Sequence, residues 1–304
     1  MEQGVSGKFM KIALLWLQRL FLVCSIAFLV TVFFQNRMDI VSIFSVASYS
    51  GLALAILFWV LATLLMPAIA FTILRDRKNS ITFRTLLSIH LNRIPSKFLP
   101  GGVWQTFARV YDMNNLGITK TDISLVVLYE NTYSIILAAI VSTLGIYLLS
   151  SNELYSTLAL VLLLGSIATI PLALFFRKRS FVLSIAAYVQ LTAVCTAFWI
   201  LAAGAFYSYM AAIGMIAAQD NVIVTVVNYL FSYVVGFVSI FAPQGIGVFE
   251  VVYSELATSD LPRTQLIIFV AGFRVLVMLS DMLTWLAYML IKISSGVGGK
   301  QDPE

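Results

Sequence analysis

The chain has 304 residues, of which 61% are hydrophobic and only 11% charged, with a mean hydropathy of +0.96. That balance excludes an ordinary soluble domain, which is roughly half apolar and about a quarter charged. The net charge of +5 lies largely in short clusters between apolar runs, which reads as the positive-inside topology signal and not as a nucleic-acid surface.

Runs of about twenty apolar residues are membrane-span candidates, and in lipid they must be helices because no water satisfies their backbone. The first expected span is about Ile12 to Phe34, with Arg19 inside it snorkelling to the interface. The run is too long for a signal peptide and is read as retained. Span two is about Ala47 to Leu74, with a kink expected at Pro67. The cluster Arg75, Arg77 and Lys78 marks the cytoplasmic side.

Ile81 to Arg93 is too short for a span. Arg84, Ser88 and Asn92 form a polar stripe at four-residue spacing, and Leu87, Leu91 and Ile94 lie on another side. This predicts a helix in the interface or packed against the bundle. His90, the one histidine, is expected on the polar face.

Span three runs from about Asp122 to Leu149, with Thr119 or Thr121 as its cap. Span four is about Leu154 to Phe176, followed by a second cytoplasmic cluster, Arg177, Lys178 and Arg179. Spans five, six and seven are about Phe181 to Tyr209, Asn221 to Phe241 and Thr264 to Lys292. The fold class is therefore an all-α integral membrane bundle of about seven spans in one domain, with flexible tails at 1–11 and 294–304. Cys24 and Cys195 sit inside apolar runs without metal-ligand spacing and read as small buried hydrophobes.

Two stretches interrupt this pattern. "KFLPGGVWQTFARVY" starts at Lys97, and "FAPQGIGVFE" ends at Glu250. Each joins an apolar helix end, a Pro-Gly break, aromatic or branched residues and a nearby charge. They read either as ordinary Pro-Gly turns or as broken, re-entrant segments whose freed amides bind anions. The paired occurrence favours the second reading. Lys97 and Arg109 beside the first break reinforce an anionic preference.

Glu130, Arg274 and Asp281 lie inside expected spans, where each charge costs a few kcal/mol and is a functional candidate. Arg274 and Asp281 are two turns apart on one face, which could pair with Glu130 or with Glu250. Such a pair either lines a polar pathway or fixes helix packing. No HExxH, GxSxG or Cys-rich signature appears, and no cofactor is implied. An intramembrane enzyme using Glu130 or Glu250 as a base is the weakest reading.

Together, these motifs resemble the lysylphosphatidylglycerol synthase transmembrane-region family, also called flippase-like domains. The first motif matches at Lys97, Pro100, Gly101, Gly102 and Arg109, and the second at Pro243, Gly245, Gly247, Val248 and Glu250. Gln244 stands where the family usually has Gly, and Phe249 where it usually has Arg. The resemblance implies a stand-alone membrane domain without the soluble transferase domain. It would sit in a bacterial-type inner membrane and handle an anionic or polyprenyl-phosphate-linked lipid in cell-envelope biogenesis. In this picture Lys97, Pro100, Gly101, Gly102 and Arg109 hold the head group. Glu130, Pro243, Gly245, Gly247, Glu250, Arg274 and Asp281 line or gate a polar path. The alternative is a non-transporting scaffold for an envelope-assembly enzyme.

Overall fold

The computed structural model describes residues 47–98, 104–149, 153–175, 182–216, 221–239, 242, 245–257 and 261–294, with 166–175 as helix backbone only. The first expected span, the Arg177–Arg179 cluster, both tails, Pro100, Gly101, Gly102 and Pro243 lie outside these residues. The described residues are helical, without strands. In chain order they form α1 (Tyr49–Leu65), α2 (Pro67–Asp76), α3 (Phe83–Asn92), a 3₁₀ turn (Ile94–Phe98) and α4 (Trp104–Asn115). Then come α5 (Lys120–Leu149), α6 (Glu153–Phe175), α7 (Ile185–Ala212), α8 (Val222–Val238), α9 (Val248–Leu256) and α10 (Arg263–Ser294).

Among the described residues, four helical segments are long and apolar enough to cross a membrane: Tyr49–Asp76, Lys120–Leu149, Ile185–Ala212 and Arg263–Ser294. Large apolar side chains stand exposed along them, including Val189 and Ile200 on α7 and Leu283, Leu286 and Leu290 on α10. Such surfaces are costly in water and fit a lipid environment. The first segment is broken at Met66, where Pro67 lacks the N–H that would continue the ladder.

The chain divides into two compact units. One is built from Ala53–Leu137, Gly165–Ala205 and Val275–Glu304. Its core contains Ile69, Ile73, Leu86, Met113, Leu125, Val126, Leu191 and Cys195. Thr82 caps α3 by accepting from the Thr85 N–H at 3.2 Å. Thr119 caps α5 by accepting from the Asp122 N–H at 3.2 Å. The Ser88 hydroxyl lies 2.6 Å from that of Tyr288, and Asn92 Nδ2 donates to the same oxygen at 3.3 Å, so α3 packs on α10 through its polar stripe.

His90 departs from expectation: it is buried, 6% exposed. It follows Leu86 by four residues and so falls on the same stripe, which faces the core.

The other unit comprises Met1–Leu52, Ala138–Leu164 and Phe206–Arg274. An aromatic cluster dominates it. Phe206 stacks on Tyr229 with centroids 4.7 Å apart, and meets Tyr253 and Phe273 edge-on at 4.8 and 5.1 Å. A smaller apolar group joins Ile146, Ala159, Val227 and Phe231.

Candidate functional site

The charged residues singled out in the sequence fall into three ion pairs. The first two belong to the unit holding Ala53–Leu137. Lys97, on the 3₁₀ turn, places its ammonium 2.8 Å from Asp281 Oδ2. Asp281 is 2% exposed, and its other oxygen accepts from Trp59 Nε1 at 3.0 Å and Thr63 Oγ1 at 3.1 Å. The carboxylate therefore has three donors, which is what a buried anion requires. The Lys97 side chain is 37% exposed, and its ammonium lies 5.6 Å from the Trp59 ring centroid.

Arg109 makes a two-pronged contact with Glu130, at 2.9 and 2.7 Å. Both side chains are nearly buried. The fork of the guanidinium matches the carboxylate, and the pair is neutral overall. The face of α4 opposite Arg109 and Met113 carries Trp104, Phe107 and Tyr111, all at least half exposed. With the exposed Phe98 they form an aromatic surface on the segments that carry Lys97 and Arg109. His90 adds a buried Nδ1 without a hydrogen-bond partner among the described residues. Its pKa is held well below the ordinary value, first by burial and then by the positive charges of Arg109 and Lys97.

The third pair lies in the other unit. The turn before α9 has positive φ at Gly245 (66°) and Gly247 (86°), a region glycine enters without steric cost. Glu250, fully buried, accepts from the Gly247 N–H at 2.8 Å, so a helix N3 carboxylate reaches back to the first turn. Glu250 also accepts from the Arg274 guanidinium, which donates to the Gly245 carbonyl at 3.1 Å. Phe249 lies under that guanidinium at 5.4 Å. The Phe that departs from the resembled motif thus supplies an aromatic face for Arg274.

The structure brings Arg274 to Glu250, one of the two partners expected for it. Asp281 meets Lys97, and Glu130 meets Arg109, which are pairings the sequence did not indicate. The roles of Trp59 and Thr63 were also missed. Their signal was present: they lie four residues apart, on one face of α1. Two further carboxylates are tied nearby. Asp112 takes both prongs of Arg93 at 2.7 and 2.6 Å, and Asp122 accepts from Arg77 at 2.8 Å.

In comparisons with known proteins, no family model matches the chain, and no curated protein matches it.

Proposed function

We propose that this protein is a multi-pass membrane protein of about seven spans that binds and translocates an anionic lipid. A phospholipid or a polyprenyl-phosphate-linked glycan precursor in cell-envelope biogenesis has the required chemistry, and a bacterial-type inner membrane is the compartment. Lys97 carries this reading. It is a partly exposed ammonium held by a buried carboxylate, beside the Trp59 ring and next to the exposed Phe98. A phosphate oxygen can replace Asp281 at such an ammonium while Trp59 and Thr63 keep the carboxylate satisfied. Acyl chains then lie on the aromatic and aliphatic surface. The Pro-Gly stretches act as broken, re-entrant segments. Arg109–Glu130 and Glu250–Arg274 set the polar path beside them.

The test uses vesicles reconstituted with the protein, with labelled phosphatidylglycerol or phosphatidylcholine placed in one leaflet. Redistribution of the anionic lipid alone is expected, slowed about tenfold in Lys97→Gln. Equal rates for the two lipids, or an unaffected Lys97→Gln, overturn the reading. A second reading, a scaffold for an envelope-assembly enzyme, is favoured by the pairing of every singled-out charge with another side chain. It stands if phosphatidylglycerol binds but is never redistributed.

A further inference from the structure

The unit containing Phe206–Arg274 holds a cavity of about 110 Å³, lined by none of the ion-paired residues. Its walls are Met210, Met215, Ile216, Val224, Ala257 and Leu266 on the apolar side, with Asn221, Thr225, Asn228 and Tyr253. None of these ten residues is charged.

Asn221, Thr225 and Asn228 follow the helical spacing of zero, four and seven along α8 and its cap, so they form one row. Each has hydrogen-bonding capacity that the protein leaves unused. Asn228 is 5% exposed, and its Nδ2 donates to the Leu256 carbonyl at 3.2 Å. A carbonyl only accepts, which fixes the orientation of the amide and leaves Oδ1 as an acceptor toward the cavity. Asn221 Oδ1 accepts from the Ile223 N–H at 2.9 Å, which leaves its NH₂ as a donor.

Thr225 is 8% exposed. Its hydroxyl makes no hydrogen bond to another described residue. Thr72, Thr132, Thr143, Thr192 and Thr284 instead donate to the carbonyl four residues back. Thr225 and Asn228 are buried and Asn221 is exposed, so the row runs inward from the surface, and the Thr225 hydroxyl and Asn228 Oδ1 are open to a molecule in the cavity.

The geometry points to a binding site for a neutral, hydroxyl-rich ring, a single sugar or polyol unit. The row offers a donor, a hydroxyl that does either, and an acceptor, which matches adjacent hydroxyls. The methionine and leucine wall faces the C–H side of such a ring. A cavity of this volume holds several waters, on the order of four at about 30 Å³ each, and it takes one edge of such a ring. An anion has no cationic partner among the lining residues, so this site differs in chemistry from Lys97 and stands independently of the anionic-lipid reading.

The experiment is titration by native mass spectrometry, in a detergent without a sugar head group. Monoglucosyl diacylglycerol is the probe and diacylglycerol the sugar-free control. Wild type is expected to bind the glucosyl lipid at least tenfold more tightly than the control. Thr225→Val keeps the shape, removes a hydroxyl that holds nothing in the protein, and is expected to lose about tenfold. Thr225→Met fills the space and is expected to abolish the preference. Equal binding of the two lipids by wild type overturns the site, as does wild-type preference in Thr225→Val, which stays informative if Thr225→Met does not fold. The anion reading is tested with different lipids at a different residue, so either proposal can fail alone.

Discussion

Asp281 and Lys97 stand 184 residues apart in sequence and 2.8 Å apart in space. The carboxylate is held by two neutral donors and one cation, and these contributions separate by substitution. Asp281→Asn keeps Oδ1 for Trp59 and Thr63 but turns an NH₂ donor toward Lys97, so the charge attraction and the Lys97 hydrogen bond are lost together. Because Lys97 is partly exposed, that loss is expected to cost about 1 kcal/mol. Asp281→Ala also strands the Trp59 and Thr63 donors and is expected to cost about 3 kcal/mol. Unfolding in mild detergent ranks the two, and equal losses would mean that the neutral donors contribute nothing.

Arg109 and Glu130 are both shielded, so removing either charge strands the other. Arg109→Met and Glu130→Leu are each expected to destabilise by about 3–5 kcal/mol, and the double substitution of the same two residues to recover most of it. A double-mutant cycle on unfolding free energies measures this. Additive losses would show that the two residues do not act as a pair.

His90 predicts the pH response of the unit around α3. Its native pKa lies well below 6.5 through burial and the charges of Arg109 and Lys97, while the unfolded chain takes up a proton near pH 6.5. Between these values the unfolded state binds more protons, so stability rises with pH. The contribution is fully present above about pH 6.5. It falls by about 1.4 kcal/mol per unit as pH drops, until native His90 itself protonates. Melting curves from pH 7.5 to 5 should show this slope in wild type and not in His90→Leu.

The turn before α9 is tight against α8. A Cβ on Gly245 would come within 2.9 Å of the Gly236 backbone, at φ 66°, whereas one on Gly236 would meet Gly245 Cα at an ordinary 3.4 Å. Gly245→Ala is expected to cost at least about 2 kcal/mol, and Gly236→Ala less than half of that. If both alanines melt like wild type, the turn is not held against α8.

The long helices were legible because their signal is local. The expected Asp122–Leu149 and Thr264–Lys292 runs correspond to α5 and α10 within two residues at each end. Charges within apolar runs were legible for the same reason, since the cost of a lone charge in lipid marks Glu130, Arg274 and Asp281 individually. Their partners were not. Arg274 and Asp281 share a helical face, which suggested a shared site, yet one meets Glu250 and the other Lys97. Helical periodicity fixes the direction of a side chain about its own axis. It says nothing about which of several charged segments returns to meet it. His90 shows the converse error, in which residue type suggested the polar face while its spacing from Leu86 already placed it inside.

The Arg109–Glu130 pair also constrains how the chain is made. Glu130 leaves the ribosome 21 residues after Arg109, on a helix long enough to enter the bilayer. A carboxylate entering hydrocarbon alone meets a penalty of a few kcal/mol, and one already matched to a guanidinium enters as a neutral unit. The twelve residues from Trp104 to Asn115, too short to cross a membrane themselves, thus carry the charge that makes Glu130 on the following helix neutral as a pair.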